Sequence, residues 1–237
     1  MPVFKWSELE ERMLYPEHSP ATGSVLRGEK IAVARVRYPG GSKVPSHASR
    51  REQVHSILRG QATYRVGDDE KLVGPGEAVL IRPNTVHEVQ VLSDMEVIGF
   101  QDVGPLASVG PGGAGGPVFF KWEEMESDFI TPKYSSGRGP TITGERIEVA
   151  YMFYPAGTEG KPHAHPNEQI QVALQGKVRG FIGGEENLIE AGGGMLFPPN
   201  VEHGIKILED YTVINCKDIV PGWSVYHARW EREPARS

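Results

Sequence analysis

The segment His163-Ala164-His165-Pro166-Asn167-Glu168-Gln169, followed 34 residues later by His203, supplies three imidazoles and one side-chain amide oxygen. Side chains two apart on a strand leave the same face, so His163 and His165 point together. Gln169 opens the next apolar run, QIQVALQ, and His203 follows the turn-forming run PPNVEH. An HxH pair alone is common. HxH, an amide oxygen four residues later and a third His after a Pro-Asn turn form a stronger pattern. Converging inside a barrel, the four would suit one borderline divalent transition metal: Zn, Fe, Ni, Cu or Mn.

The elements that must position these residues come in two copies. FKW at 4–6 recurs at 120–122, and GEKIAVARVRYPGG (28–41) recurs as GERIEVAYMFYPAG (144–157), an offset of 116. Residues 28–103 align with 144–219 without a gap, with 27 identities in 76 positions. Between the copies, GPLASVGPGGAGGP has a linker's composition. The expected division is therefore a first domain at 1–103, a linker at 104–116 and a second domain at 117–237. Short β-rich runs such as IAVARVRY and IEVAYMFY alternate with Gly and Pro turns throughout. Only KWSELEERML and KWEEMESDF read as short amphipathic helices. Seven or eight strands in each copy call for a sandwich or closed barrel, so the fold class is all-β, with two antiparallel β-barrels in tandem.

Composition narrows the function. Twenty-five basic and 31 acidic residues give a net charge of −6 with no basic block, which argues against nucleic acid as a partner. One cysteine, Cys216, leaves no disulfide framework and no multi-thiolate zinc site, and reads as a small core residue. The absence of an 18-residue apolar run and of a signal-like start predicts a cytoplasmic protein away from membranes.

The runs PHAHPNEQIQVALQG and GGGMLFPPNVEH resemble the two motifs of the cupin superfamily, and both halves share the likeness, so the chain resembles a bicupin. That resemblance implies two jelly-roll (double-stranded β-helix) barrels and metal ligands at His163, His165, Gln169 and His203. Gln169 departs from the glutamate usual in cupins; Glu168 is one residue early, with strand parity pointing it away. The HxHxxEQ form is similar to the pectin-degradation cupins, which convert unsaturated monouronates to linear ketones, and to the bacilysin-pathway bicupin isomerases. With Gln, a divalent metal and three neutral imidazoles keep a charge of +2, which favours carboxylates and enolates and polarises a carbonyl.

In the first copy the equivalent positions hold His47, Ser49, Gln53 and His87. Serine replaces one imidazole, and His55 is the residue that would have to replace it in a second metal site. Alternatively His55 is a neutral core histidine and the first barrel is scaffold. Gln171 is expected on the inner face near the metal, joined by Tyr151, Phe153, Arg179 or Phe181 according to strand register. Gln171, Tyr151 and Arg179 are the catalytic candidates, with a solvated surface position for Arg179 and a packing role for Tyr151 as the alternatives. The paired FKW segments are expected to pack against the barrels. The tail PGWSVYHARW, with His227, is a candidate cap over a barrel end; His18 has no context.

Three functions follow. The first is a metal-dependent isomerase, tautomerase or lyase that forms a metal-stabilised enolate on a small carboxylated carbonyl or sugar acid. The second is a dioxygenase acting on an aromatic or diketone. The third is a non-catalytic cupin binding a small ligand. The expected partner is a small anionic substrate, and the expected state a monomer or homodimer.

Overall fold

The computed structural model describes residues 2–17, 19–105, 116–129, 134–221 and 223. His18, His227 with most of the C-terminal tail, and residues 106–115 of the expected linker lie outside them. The described chain is almost entirely antiparallel β-structure in two compact units.

In the N-terminal unit one sheet runs in the order Phe119–Lys121, Glu77–Ile81, Gln53–Arg59, Met95–Asp102, Ile31–Tyr38, Thr22–Arg27, Arg12–Met13. The second sheet orders Lys43–Ala48, Val86–Val91, Ala62–Val66 and Asp69–Val73. Period-two patterning decides what goes inside. Ala62, Tyr64 and Val66 enter one core with Val36, Tyr38, Val79, Ile81, Val89 and Val91. Arg35 lies on the other face of its strand and pairs with Glu96 at 2.7 Å. Each large apolar side chain buried this way contributes about 1.5–3 kcal/mol by leaving water.

The C-terminal unit repeats the plan. Its larger sheet runs Val3–Lys5, Gly193–Phe197, Gln169–Gln175, Tyr211–Asp218, Ile147–Tyr154, Arg138–Gly139, Asp128–Phe129, with Thr141–Thr143 also paired to Ile147–Tyr154. The smaller sheet orders Glu159–His163, His203–Ile207, Lys177–Ile182 and Glu185–Glu190. Ala150, Met152, Tyr154, Val178, Ile189, Met195, Phe197, Tyr211 and Val213 fill its core. The all-β double barrel expected from the repeat is what the chain forms.

The units interleave along the sequence, unlike the contiguous division at 103 and 117. Residues 1–6 belong to the C-terminal unit, and residues 7–125 with 144–147 to the N-terminal one. Each FKW segment is an edge strand: Val3–Lys5 pairs with Gly193–Met195, and Phe119–Lys121 with Glu77–Val79. The following tryptophans, Trp6 and Trp122, are buried, and Trp122 donates its indole N–H to Ser56 Oγ at 3.2 Å. The two expected helices are therefore only three-residue 3-10 turns, Trp6–Glu8 and Trp122–Glu124. Edge pairing and the Trp anchor take residues that a helix would need to offset its costly nucleus.

Glu52 fastens residues 144–147 to the N-terminal unit. Its carboxylate is fully buried and accepts the backbone N–H groups of Glu145, Arg146 and Ile147 at 2.8–3.0 Å. Asp102 pairs with Arg146 at 2.9 Å and Arg51 at 3.3 Å beside it. A Cβ at Gly144 would lie 2.2 Å from Glu52 Oε1, so only glycine fits that approach. Among the described residues no helix is long and apolar enough to cross a membrane.

Candidate metal centre

His163 ends the strand Glu159–His163 and lies directly opposite His203 on the neighbouring strand. His165 sits just beyond the strand end, in a stretch without regular structure rather than on the strand expected from the HxH spacing. The PPN turn holds that segment in place. Asn200 takes a left-handed φ of 61°, which Asn tolerates, and its N–H donates to the His165 carbonyl at 2.8 Å. The ligand atoms of His163, His165 and His203 all lie within 4.8 Å of one another.

Backbone carbonyls set the tautomers. Nδ1–H is donated by His163 to the Lys161 carbonyl at 2.8 Å, by His165 to Asn167 at 3.0 Å and by His203 to Val201 at 2.8 Å. Each Nε2 is thereby left as a lone pair, as in metal sites whose ligands are oriented by a carbonyl. His203 Nε2 is buried and has no hydrogen-bond partner. His165 Nε2 lies 3.1 Å from Gln169 Oε1, so two acceptors face each other. A buried orphan acceptor and an acceptor–acceptor pair are what a cation would satisfy. Burial pushes the imidazoles down, His165 to about 3 and His203 to about 4, with His163 also lowered. All three are therefore neutral at pH 7, the form that ligates metals. Tyr134 stacks on His163 with centroids 4.3 Å apart, and Phe197 packs on His203 at 4.6 Å.

The site lies in the second of two repeated barrels, and a family profile described as "Cupin domain" matches residues 34–99 and 150–213. The chain belongs to the cupin family. Both matches fall on the repeated barrels, so it is a bicupin. Among solved structures, it is similar to AerE from Microcystis aeruginosa, with 20% identity, TM-score 0.72, and coverage of 92% of this chain and 99% of that one. Oxalate decarboxylase from Bacillus subtilis shares 15% identity and a TM-score of 0.69, over 92% of this chain and 77% of that one. Among curated proteins no sequence match was found.

The wall beside the bicupin's His cluster holds residues the motif does not name. Gln171, Asn215 and Lys217 line a small cavity with His163, Gln169 and His203. Gln171 and Asn215 face each other across paired strands, and each has a buried side-chain oxygen without a hydrogen-bond partner. Lys217 pairs with Gln169 in the backbone ladder. Burial lowers its ammonium to about 8, against a raising influence from Glu148 and Asp218. Glu148 is buried on the strand face that also carries Ala150, Met152 and Tyr154.

Tyr151 and Arg179 do not reach this cavity. The even residues of Ile147–Tyr154 and Lys177–Ile182 supply the core, so the odd ones face away. Arg179 pairs with Glu186 at 3.0 Å on the outer surface, Phe181 is exposed and Phe153 lies opposite Arg138. Glu168 is buried but does not line the cavity. Cys216 is wholly buried, as a core residue should be.

In the first barrel, His47 and His87 lie 4.2 Å apart between ring centroids. His55 is engaged at both nitrogens. Tyr64 O–H donates to Nδ1 at 3.2 Å, and Nε2–H donates to Gln53 Oε1 at 3.2 Å. The amide oxygen that would bind a metal is thus occupied by a proton donor. Among the described residues, the three histidines of the second barrel converge as a metal-binding group, whereas His47, His55 and His87 do not.

Proposed function

We propose that the C-terminal barrel is a metal-dependent centre for proton transfer on a small anionic carbonyl compound, an isomerase, tautomerase or lyase. Lys217 carries the reading. It puts a basic residue on the wall of the cavity lined by His163, Gln169 and His203, where the first copy has neutral Gln101. A divalent metal held by those four residues would supply a Lewis-acidic charge beside the substrate's oxygens.

The chain's own groups account for the rest. At neutral pH Lys217 is mostly protonated and pairs with a substrate carboxylate. With its pKa close to the working pH, it also gives up and regains a proton readily. The unpartnered oxygens of Gln171 and Asn215 accept from substrate hydroxyls. The apolar wall of Met152, Tyr154 and Phe197 strengthens each of these interactions. The likeness to a protein named oxalate decarboxylase, described elsewhere with Mn(II) centres, agrees with a lyase of small carboxylates as one member of this class.

Metal content per chain and turnover of 2-keto acids and unsaturated uronates under argon test the reading. One metal ion retained by His87→Ala and lost by His203→Ala, with oxygen-independent turnover, is the expected result. Stoichiometric oxygen uptake during turnover would replace it with the dioxygenase.

A further inference from the structure

The N-terminal barrel encloses a cavity of about 270 Å³ that the proposed metal chemistry leaves unused; the corresponding cavity of the second barrel is about 40 Å³. The sequence makes the difference. In the repeat alignment Val36 stands opposite Met152, Gly99 opposite Asn215 and Ser49 opposite His165, a smaller residue in the first copy each time. Val25, Val36, Val44 and Val89 form an apolar wall, and exposed Tyr15 stands at the rim. Among the described residues no lysine, arginine, aspartate or glutamate lines the space; its polar lining includes Ser19, His47, Ser49, Gln53, His55, His87 and Gln101.

One end is polar in a particular sense. His87 gives its Nδ1–H to the Thr85 carbonyl at 3.0 Å, so its Nε2 is an acceptor, with no partner among the described residues. His47 beside it is held the same way by the Pro45 carbonyl at 2.8 Å. A third imidazole is missing, because Ser49 occupies its place and His55 is spent on Tyr64 and Gln53. A largely apolar chamber with no charged residue among the described ones, and with the acceptor Nε2 of His87 on its wall, is complementary to a neutral ring bearing one O–H donor. An apolar cavity of about 150 Å³ already suffices for benzene.

We propose that this cavity is a second small-molecule site, for a neutral hydroxylated ring of phenol's chemical class. The ligand's hydroxyl donates to His87 Nε2 and its ring packs against Val36 and Val89. The site is independent of the metal centre in the other barrel and does not rest on that assignment.

Titration of the full chain with phenol, by calorimetry and ligand-observed NMR, tests it on metal-loaded and chelator-treated protein. The expected result is one saturable site with a Kd on the order of millimolar, the affinity within reach of so few heavy atoms. It should be the same with and without metal, unchanged by His203→Ala, and at least about tenfold weaker for benzoate, whose charge would be buried unpaired. Val36→Met and Gly99→Asn install the second barrel's residues. Each should weaken phenol binding about tenfold or more. A Cβ at Gly99 meets only His55, at 3.4 Å or beyond, so that variant keeps the fold, and a thermal melt verifies it. Absence of saturable binding, equal binding of benzoate, or phenol affinity untouched by both variants overturns the proposal. So does a metal ion that His87→Ala removes.

Discussion

Replacing Lys217 by Met should stabilise the protein while impairing it. Burial lowers the ammonium from 10.5 to about 8, roughly 2.5 units. At about 1.36 kcal/mol per unit, holding the charge inside the barrel costs about 3 kcal/mol at neutral pH. Methionine has a similar length and no charge, so most of that cost disappears. For a chain of this size the gain corresponds to roughly 6–12 °C in Tm. The sign follows from linkage. The unfolded chain binds the proton up to pH 10.5 and the folded one only to about 8. Below pH 8 the penalty is complete, and it fades as pH rises towards 10.5. The stability gap between variant and parent should therefore be full at pH 7 and nearly closed at pH 10.5. Differential scanning calorimetry of chelator-treated protein at the two values gives both numbers. In the same variant, losing a charge-assisted contact to the substrate carboxylate, about 1.5–3 kcal/mol, should lower kcat/KM by about 10- to 150-fold. A Lys217→Met protein less stable than its parent at pH 7 would refute the reasoning. It would mean that Glu148 and Asp218 hold the ammonium more strongly than burial opposes it.

Further expectations concern the cluster and the fold. Because His165 and His203 sit at about 3 and 4 when folded, well below their unfolded values, their contribution is present above about pH 6.5 and is lost as pH falls towards 4. Bound metal, measured after equilibrium dialysis, should be retained at pH 6 and released near pH 4. Glu52→Ala removes the acceptor of three backbone N–H groups and should cost about 3 kcal/mol in urea unfolding, whereas Glu11→Ala at the surface should cost less than about 1. Gly144→Ala forces a Cβ against Glu52 and should destabilise comparably; an unchanged melt would disprove the cradle. Asn200→Ala should cost about 1 kcal/mol through the left-handed turn and weaken metal retention by displacing His165.

The fold was readable because it is written twice: alternation such as Ala62-Thr63-Tyr64-Arg65-Val66 and the gapless repeat leave little choice beyond paired barrels. The four motif residues were readable because their spacing carries them. The wall around them was not. Whether Tyr151 and Arg179 face inward depends on strand register, which is set by pairing with strands distant in the chain and not by the local sequence. Lys217 and Glu148 went unnoticed although the repeat held the signal. Gln101 and Ala32 in the first copy give way to opposite charges, Lys217 and Glu148, in the second. Nothing in the local sequence tells an edge strand from a helix start at FKW, since the partner strand lies far along the chain.

The interleaving of the two units governs the order in which the protein can be made. Val3–Lys5 must wait for Gly193–Met195 to leave the ribosome, and the sheet containing Glu77–Val79 must wait for Phe119–Lys121. Glu52 is unsatisfied until residues 145–147 exist. The N-terminal barrel can therefore finish only once residue 147 is made, and the C-terminal barrel must recruit the chain's first residues, although the halves share one repeat. A gene fragment cut at the repeat boundary would encode one barrel lacking its edge strand and carrying the other's. Once duplication had allowed this exchange of edges, separating the copies again would have required both to regain a lost strand. Such an exchange makes a gene fusion hard to reverse.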